Sequence, residues 1–182
     1  MTDSRVRLLW EPQNDNVVGA YLAGYRAALD AGCEWILEMD GGLSHLPEEI
    51  PRFLEAMASG VDFAPSTRFA HGGVYGAPFP RWFFSRGGSV MANVFLGTKL
   101  SDMTSGFECF SAAALRHLLS VGLRSRSGFV QSEIRYILRD WSTREVPISY
   151  TSDVRRPHRG SVGETFRMIA QLRREARAGS AP

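Results

Sequence analysis

Asp40 and Asp102 are the two acidic side chains whose positions suit a role in binding or catalysis. Asp40 ends the short apolar run 35–39 and is followed by two glycines and a helical pattern opened by Pro47, while Asp102 lies in a polar, turn-like stretch. A carboxylate at the carboxyl end of a strand, beside glycines that let a ligand approach the backbone, suits a divalent cation or a phosphate. Aspartate and glycine are also favoured in ordinary turns for local reasons. The residues alone leave both interpretations open.

Polar and basic side chains also mark several other predicted turns and helix starts. Arginine suits phosphate because its planar guanidinium donates two parallel hydrogen bonds. Taken singly, an arginine such as Arg68 or Arg81 is more simply explained as a surface residue, and Gln131 with Glu133 could be a satisfied polar pair within a helix. The candidates are Arg68, Arg81, Ser85, Gln131, Glu133 and Arg156.

Strand and helix patterns alternate along the chain, which predicts an α/β fold with a mostly parallel sheet. The loop 69–80, rich in glycine and proline, is predicted to be mobile and to cover a site. Gly32 and Ser111 are predicted to end one helix and begin another. The predicted strands are 6–10, 35–39, 61–66, 107–110 and 146–150, and the predicted helices are 17–31, 50–60, 81–96, 111–119, 128–141 and 164–178.

Composition predicts one globular domain over residues 1–182, because 44% of the residues are hydrophobic and 22% are charged. No stretch resembles a signal peptide or a bilayer-spanning segment, so we expect a cytoplasmic protein. Cys33 and Cys109 are too far apart to suggest a zinc site and are predicted to be buried, reduced thiols. The segment 155–182, a basic loop and helix, carries seven arginines and two glutamates. It could meet an anionic surface or simply be solvated.

Read together, the polar turns resemble the dolichol- and polyprenol-phosphate mannosyltransferase branch of glycosyltransferase family 2. The likeness runs from about residue 6 to residue 161. It implies a GT-A-type, Rossmann-like fold that binds a nucleotide-sugar at the carboxyl edge of the sheet. The matching blocks are Met39-Asp40, Leu43-Ser44-His45-x-Pro47-Glu48, Ser66-Thr-Arg68, Arg81-x-x-x-Ser85-Arg86, Asp102-x-Thr104-Ser105-Gly106-Phe107, Phe129-x-Gln131-x-Glu133 and Glu145-Val-Pro147-Ile148.

The resemblance implies an inverting transfer of a hexose, most simply mannose from a guanosine diphosphate donor, to a polyprenyl phosphate. By the same resemblance Asp40 holds a divalent metal, Mg²⁺ or Mn²⁺, against the donor diphosphate. Asp102 orients the acceptor or counters the cationic sugar. The phosphates of donor and acceptor are contacted by Arg68, Arg81, Ser85 and Arg156, and the sugar by Gln131 and Glu133.

Two departures from the family pattern bear on activity. Gly42 replaces a second acidic residue, so we expect weaker metal binding, to which Ser44 and His45 add little. The family's opening strand, helix and acidic turn have no counterpart before Val6, which predicts an unpaired sheet edge that a partner chain or segment covers. The alternative function is therefore a catalytically impaired relative that acts as a binding or partner subunit.

Contact with a membrane is a separate prediction. Residues 79–84 join aromatic side chains to an arginine, and the C-terminal helix is basic and amphipathic, so both suit the cytoplasmic face of an anionic membrane. Packing of the aromatics in the core is the alternative. A nucleic-acid partner is not expected, because no binding motif accompanies the basic end.

Overall fold

The computed structural model describes residues 3–14, 16–126, 128–151, 167–172 and 174. Within them, helices and strands alternate largely as the sequence predicts. The helices are α1 (Val17–Asp30), α2 (Ile50–Ala58), α3 (Phe79–Leu96), α4 (Ala112–Val121) and α5 (Val130–Ile137). The strands are β1 (Trp35–Glu38), β2 (Phe63–Thr67), β3 (Val74–Gly76), β4 (Glu108–Ser111), β5 (Val146–Pro147) and β6 (Ser149–Thr151).

Local side-chain chemistry sets several of these boundaries. The Asn16 side chain accepts a hydrogen bond from the Gly19 amide at the start of α1, and the Ser111 hydroxyl accepts one from the Ala114 amide at the start of α4. Gly32, at φ +77°, follows the last turn of α1 in the left-handed region that favours glycine. The predictions for Gly32 and Ser111 are confirmed.

The main sheet has the strand order β1-β4-β2-β5. Strands β1, β2 and β5 share one direction, while β4 lies between β1 and β2 and runs antiparallel to both. The sheet is therefore mixed, because β4 separates two strands that the sequence pattern suggests are parallel. Cys109 on β4 is opposite Leu37 on one side and Ala64 on the other.

A second, two-stranded sheet pairs β3 with β6 in parallel. The prediction of one strand over 146–150 is wrong, because the chain changes partner at Ile148, whose amide donates to Thr67 while its carbonyl accepts from Val74. The prediction that 69–80 is only a loop is also wrong, since it contains β3. Gly73 permits this arrangement: a Cβ there would lie 2.9 Å from the Arg68 carbonyl carbon.

Two predictions near the N-terminal end of the chain are wrong. Residues 6–10 form no strand, and their apolar side chains are open to solvent, with Leu8 85% and Trp10 78% exposed. A strand requires a hydrogen-bonded neighbour, and β1 is an edge strand with no described strand on its outer side. Cys33 is exposed, because it lies in the turn after α1, whereas Cys109 is buried in β4 as predicted.

Helices cover the main sheet on both sides. Phe63, Phe110 and Leu118 belong to a core cluster with α1 and α5, while Phe53 of α2 packs with Phe107 and other residues in a second cluster. A third cluster joins α3 to residues 167–172, which are helical. The rest of the predicted 164–178 helix, except residue 174, lies outside the described residues, as does the predicted basic loop. In the described part of the chain, no helix combines the length and apolarity needed to cross a bilayer.

Candidate active site

The candidate site lies where the carboxyl ends of β1 and β2 approach the two-stranded sheet and the start of α3. Asp40 follows β1, Arg68 follows β2, Arg81 lies in the first turn of α3, and Asp102 lies in the loop before β4. Contacts through Tyr150 on β6 connect these elements. The structure therefore brings the main predicted residues to one region.

Arg68 and Asp102 form a two-point ion pair. Arg68 Nε lies 2.7 Å from Oδ2 and Nη2 lies 2.9 Å from Oδ1, while the Arg68 amide also donates to Oδ2. Nη2 donates further to the Thr104 hydroxyl. Both charged side chains are almost completely buried. Burial alone would raise the pKa of Asp102, but the hydrogen bonds and charge of Arg68 outweigh it and hold that pKa below its ordinary value.

Two tyrosines of the small sheet face the arginines. Tyr75 and Tyr150 are paired in register on β3 and β6, and the Arg68 guanidinium carbon lies 5.1 Å from the centre of each ring. The Arg81 guanidinium donates from Nη2 to the Tyr150 hydroxyl at 2.8 Å. The Tyr75 hydroxyl lies 3.1 Å from the Ser85 hydroxyl. Arg81 and Ser85 are one helical turn apart, so the small sheet contacts two successive turns of α3.

His45 connects Asp40 to the tyrosines and arginines described above. The Asp40 amide donates to His45 Nδ1 at 3.3 Å, and the buried imidazole stacks on Phe107 and lies 5.7 Å from the Tyr150 ring. Burial lowers the pKa of His45, although the nearby Asp40 carboxylate opposes that shift. His45 Nδ1 therefore acts as the hydrogen-bond acceptor for the Asp40 turn. The Asp40 side chain itself is 45% exposed and open to a ligand.

The residues present fit a metal ion only if a substrate supplies further ligands. In the part of the chain that the structure describes, no three His, Cys, Asp or Glu side chains come together as a ready-made metal site. Asp40 offers one accessible carboxylate, and Gly42 offers no side chain. Mg²⁺ is commonly held by one or two carboxylates together with substrate phosphates, so Asp40 with a donor diphosphate meets that requirement.

Gln131 lies beside Asp40. An added Cβ at Gly106 would be 3.1 Å from Gln131 Nε2 and 3.8 Å from Asp40 Oδ1, so both side chains border this glycine. Gln131 Nε2 donates to Glu38, and its Oε1 is buried with no hydrogen-bond partner among the described residues. The amide thus retains an acceptor close to Asp40.

The structure does not bring Glu133 into the same set of contacts. Its two carboxylate oxygens accept hydrogen bonds from the Arg124 and Ser125 amides, each at 2.9 Å, and its side chain is fully buried. These bonds fix the loop before α5. Arg156 lies outside the described residues.

Two buried carboxyl groups also lie beneath the site. Glu108 is opposite Glu38 across the β1–β4 pair and lies 3.0 Å from the Arg135 guanidinium, with the Glu108 and Arg135 side chains both fully buried. Burial raises the pKa of Glu108 to about 8, even though Arg135 favours the charged form. Burial also raises the pKa of Glu38, which accepts a hydrogen bond from the Tyr25 hydroxyl.

Sequence reasoning missed the two tyrosines at the centre of the site, and it treated His45 only as a poor metal ligand. The available signal was the position of each tyrosine in a short strand-like run, Val74 to Gly76 and Ser149 to Thr151. The hydroxyl of a buried tyrosine in such a run usually forms a hydrogen bond. Nothing local indicated that the two strands pair with each other.

The structure is similar to glucosyl-3-phosphoglycerate synthase from Mycobacterium tuberculosis, with a TM-score of 0.56 and 15% identity, covering 88% of this chain and 55% of that one. That enzyme was crystallised in complex with Mn²⁺, uridine diphosphate and glucosyl-3-phosphoglycerate. At this identity the similarity supports the fold alone, which is the predicted GT-A type.

The chain belongs to glycosyltransferase family 2, whose family model matches residues 2–119. It is 32% identical over 150 residues to undecaprenyl-phosphate mannosyltransferase of Micrococcus luteus, covering 81% of this chain and 62% of the relative. It is 31% identical over 150 residues to polyprenol monophosphomannose synthase of Mycolicibacterium smegmatis, covering 81% and 57%. The matched region spans about three fifths of each relative's length.

Proposed function

We propose that this chain transfers a hexose, most simply mannose, from a nucleotide diphosphate sugar to a polyprenyl phosphate. The transfer inverts the configuration at the anomeric carbon of the sugar. The observation that carries the proposal is the contact of Tyr150 with Arg68, Arg81 and His45, which connects both arginines to the Asp40 turn. The names of the two curated relatives support the substrates, and no comparison favours a catalytically impaired relative.

Arg81 is the residue best suited to bind the acceptor phosphate. Its described hydrogen bond is to a neutral hydroxyl of Tyr150, and its buried Nε has no hydrogen-bond partner among the described residues. The charge of Arg68, by contrast, is matched by Asp102. We propose that Arg81 and Ser85 bind the acceptor phosphate, with Arg156 as a further contact. A lipid monophosphate is largely ionised at neutral pH, so it can attack without a strong general base.

Asp40 is proposed to act on the donor. Charge develops on the departing diphosphate, and a divalent metal held by Asp40 would neutralise it. Because Gly42 supplies no second carboxylate, we expect this metal to bind mainly when the nucleotide-sugar is present. Gln131 is proposed to contact the donor sugar. The resemblance implies the same role for Glu133, but both of its carboxylate oxygens already accept hydrogen bonds from the Arg124 and Ser125 amides. We therefore propose that Glu133 acts through the loop that it holds.

Asp102 is proposed to be a positioning residue rather than one that touches substrate. Its carboxylate is fully buried, and both oxygens are occupied by Arg68. Through this pair it fixes the guanidinium against the Tyr75 and Tyr150 rings. Neutralised in this way, Arg68 contributes shape and hydrogen-bonding direction more than net positive charge.

A transfer assay tests the proposal directly. Labelled GDP-mannose and a polyprenyl phosphate should yield a lipid-linked sugar, and Asp40→Asn should abolish this product. Asp140→Asn, which removes an exposed carboxylate far along the chain, is the matched control and should retain activity. Full activity in excess chelator would contradict the metal role. Absence of turnover with every nucleotide-sugar tried would favour the non-catalytic binding subunit.

Contact with the cytoplasmic face of a membrane is a second proposal, carried by the exposed apolar side chains of α3. Phe79 is 72% exposed, Phe83 59% and Val94 71%, so packing in the core does not account for them. Such a face suits the surface where a lipid acceptor lies. In liposome flotation, Phe83→Ser should weaken binding, while Leu54→Ser on α2 serves as the control. Binding that is unchanged by Phe83→Ser, or independent of anionic lipid, would contradict the proposal.

A strand from another segment or another chain is also proposed to cover β1. The outer edge of β1 meets no described strand, and Trp35 at its start is 43% exposed. Two measurements on the purified protein test this proposal: hydrogen exchange of the backbone amides of residues 35–38, and the mass of the protein in solution. Rapid exchange of the outward amides in a folded, active monomer would show that no covering strand is required.

A further inference from the structure

We infer that Tyr150 is a positioning residue for acceptor binding, because its hydroxyl holds the Arg81 guanidinium in place. This inference deepens the proposed function and rests on it. Tyr150 is buried, and its hydroxyl accepts the hydrogen bond from Arg81 Nη2 at 2.8 Å. The Arg81 guanidinium carbon also lies 5.8 Å from the Tyr150 ring centre, so hydroxyl and ring contact the same group.

The backbone fixes Tyr150 firmly enough to serve this purpose. It is paired in register with Tyr75 across the β3–β6 sheet, and a bridge joins it to His45 on the Asp40 turn. Its ring lies 5.5 Å from the Tyr75 ring and 5.7 Å from the His45 ring. The Tyr75 and His45 rings therefore hold the Tyr150 ring in place, and the Tyr150 hydroxyl can bind the Arg81 guanidinium in a fixed position.

Arg81 needs such support because its other contacts leave it incompletely paired. Among the described residues it forms no ion pair, and its buried Nε lacks a hydrogen-bond partner. A long arginine side chain loses considerable rotamer freedom when it is fixed. If Tyr150 restricts Arg81 before the ligand arrives, less of that entropy is lost on binding, and the phosphate is bound more tightly.

The paired tyrosine provides a matched comparison. Tyr75 lies in the same sheet and contacts the same helix, but its hydroxyl faces Ser85 rather than Arg81. Tyr150→Phe and Tyr75→Phe each remove one hydroxyl and keep the ring against Arg68. Only Tyr150→Phe should act through Arg81, so a double-substitution cycle with Arg81→Met separates positioning from a general structural effect.

The experiment measures binding of farnesyl phosphate, with farnesol as the phosphate-free control, by calorimetry. Tyr150→Phe should weaken farnesyl phosphate binding about threefold to tenfold, the range expected for one hydrogen bond. It should have no further effect in the Arg81→Met background, and farnesol binding should be unchanged. The Tyr75→Phe effect should persist in that background.

The outcomes distinguish this inference from the proposed function. If the unsubstituted protein does not prefer farnesyl phosphate to farnesol, the proposed acceptor is wrong and the inference fails with it. If it does prefer the phosphate and Tyr150→Phe has no effect, or an equal effect with Arg81→Met, the inference alone is wrong. A circular dichroism melt confirms that each variant is folded before binding is compared.

Discussion

The buried guanidinium of Arg68 meets the buried carboxylate of Asp102 through two parallel hydrogen bonds, so two residues that the sequence suggests for substrate contact are each other's partner. Removing one member of a buried pair leaves the other charge unmatched in a poorly solvated environment. Breaking this pair should therefore lower the stability of the protein, and that loss can be measured separately from activity.

Asp102→Asn should lower the free energy of unfolding by about 3–5 kcal/mol at pH 7, because the Arg68 charge stays buried without its carboxylate. Urea denaturation measures the change. Asp140→Asn, which disrupts an exposed pair with Arg139, is the control and should change stability by less than about 1 kcal/mol. A similar small loss for Asp102→Asn would show that the pair is dispensable for folding.

The wild-type stability should also decrease in acid through the same residue. Because the pKa of Asp102 is lowered in the folded state, its contribution is present above the ordinary pKa of 3.8 and is lost as the pH falls through the lower, folded-state value. Urea denaturation of wild type and Asp102→Asn from pH 7 down to pH 2 measures it. The difference between the two should shrink toward the acid end, and a constant difference would contradict the assignment.

Glu108 should produce the opposite dependence near neutral pH. The unfolded chain loses this proton near the ordinary pKa of 4.5, whereas the folded protein keeps it until about pH 8. Stability should therefore fall as the pH rises between these values, by at most about 1.4 kcal/mol per pH unit for one proton. Glu108→Gln should reduce this slope between pH 6 and pH 8. Glu55→Gln on α2 is the control for loss of a carboxyl, and a slope unchanged by Glu108→Gln would overturn the prediction.

Gly42→Asp should strengthen binding of Mn²⁺ in the presence of GDP-mannose. A Cβ at Gly42 meets nothing within 4 Å, so the new carboxylate has room beside Asp40. Gly41→Asp, where a Cβ is equally unobstructed, is the matched control for added charge in the turn. Mn²⁺ titration followed by electron paramagnetic resonance measures both affinities. Equal gains from the two substitutions would indicate a general charge effect rather than a second metal ligand.

Gly73→Ala should destabilise the protein by about 1–3 kcal/mol, because the added methyl would meet backbone atoms of Thr67 and Arg68 at 2.9–3.0 Å and those atoms cannot move independently. Gly24→Ala in α1 is the control, since a Cβ there meets nothing within 4 Å. That substitution should raise stability by up to about 1 kcal/mol through helix propensity. Thermal unfolding of both variants tests the pair, and equal effects would contradict the close approach of Gly73 to the backbone of Thr67 and Arg68.

Local chemistry explains what could be predicted of the fold. The apolar spacing of α1, its end at Gly32 and the N-cap at Ser111 depend on residues within a few positions of one another. The failures involve distant partners. Residues 6–10 have strand composition but no described neighbour, and β3 forms within an apparent loop only because β6 pairs with it.

The site shows the same division. Short motifs in the sequence were enough to indicate the family, the Asp40 turn and the individual candidates Arg68, Arg81 and Asp102. The folded structure was needed to show that Asp102 pairs with Arg68, that Glu133 holds a loop, and that Tyr150 joins Arg81 to the Asp40 turn. Hydrogen bonds and ring contacts of this kind act over a few ångströms between residues far apart in the chain, and only the folded backbone determines which of them meet.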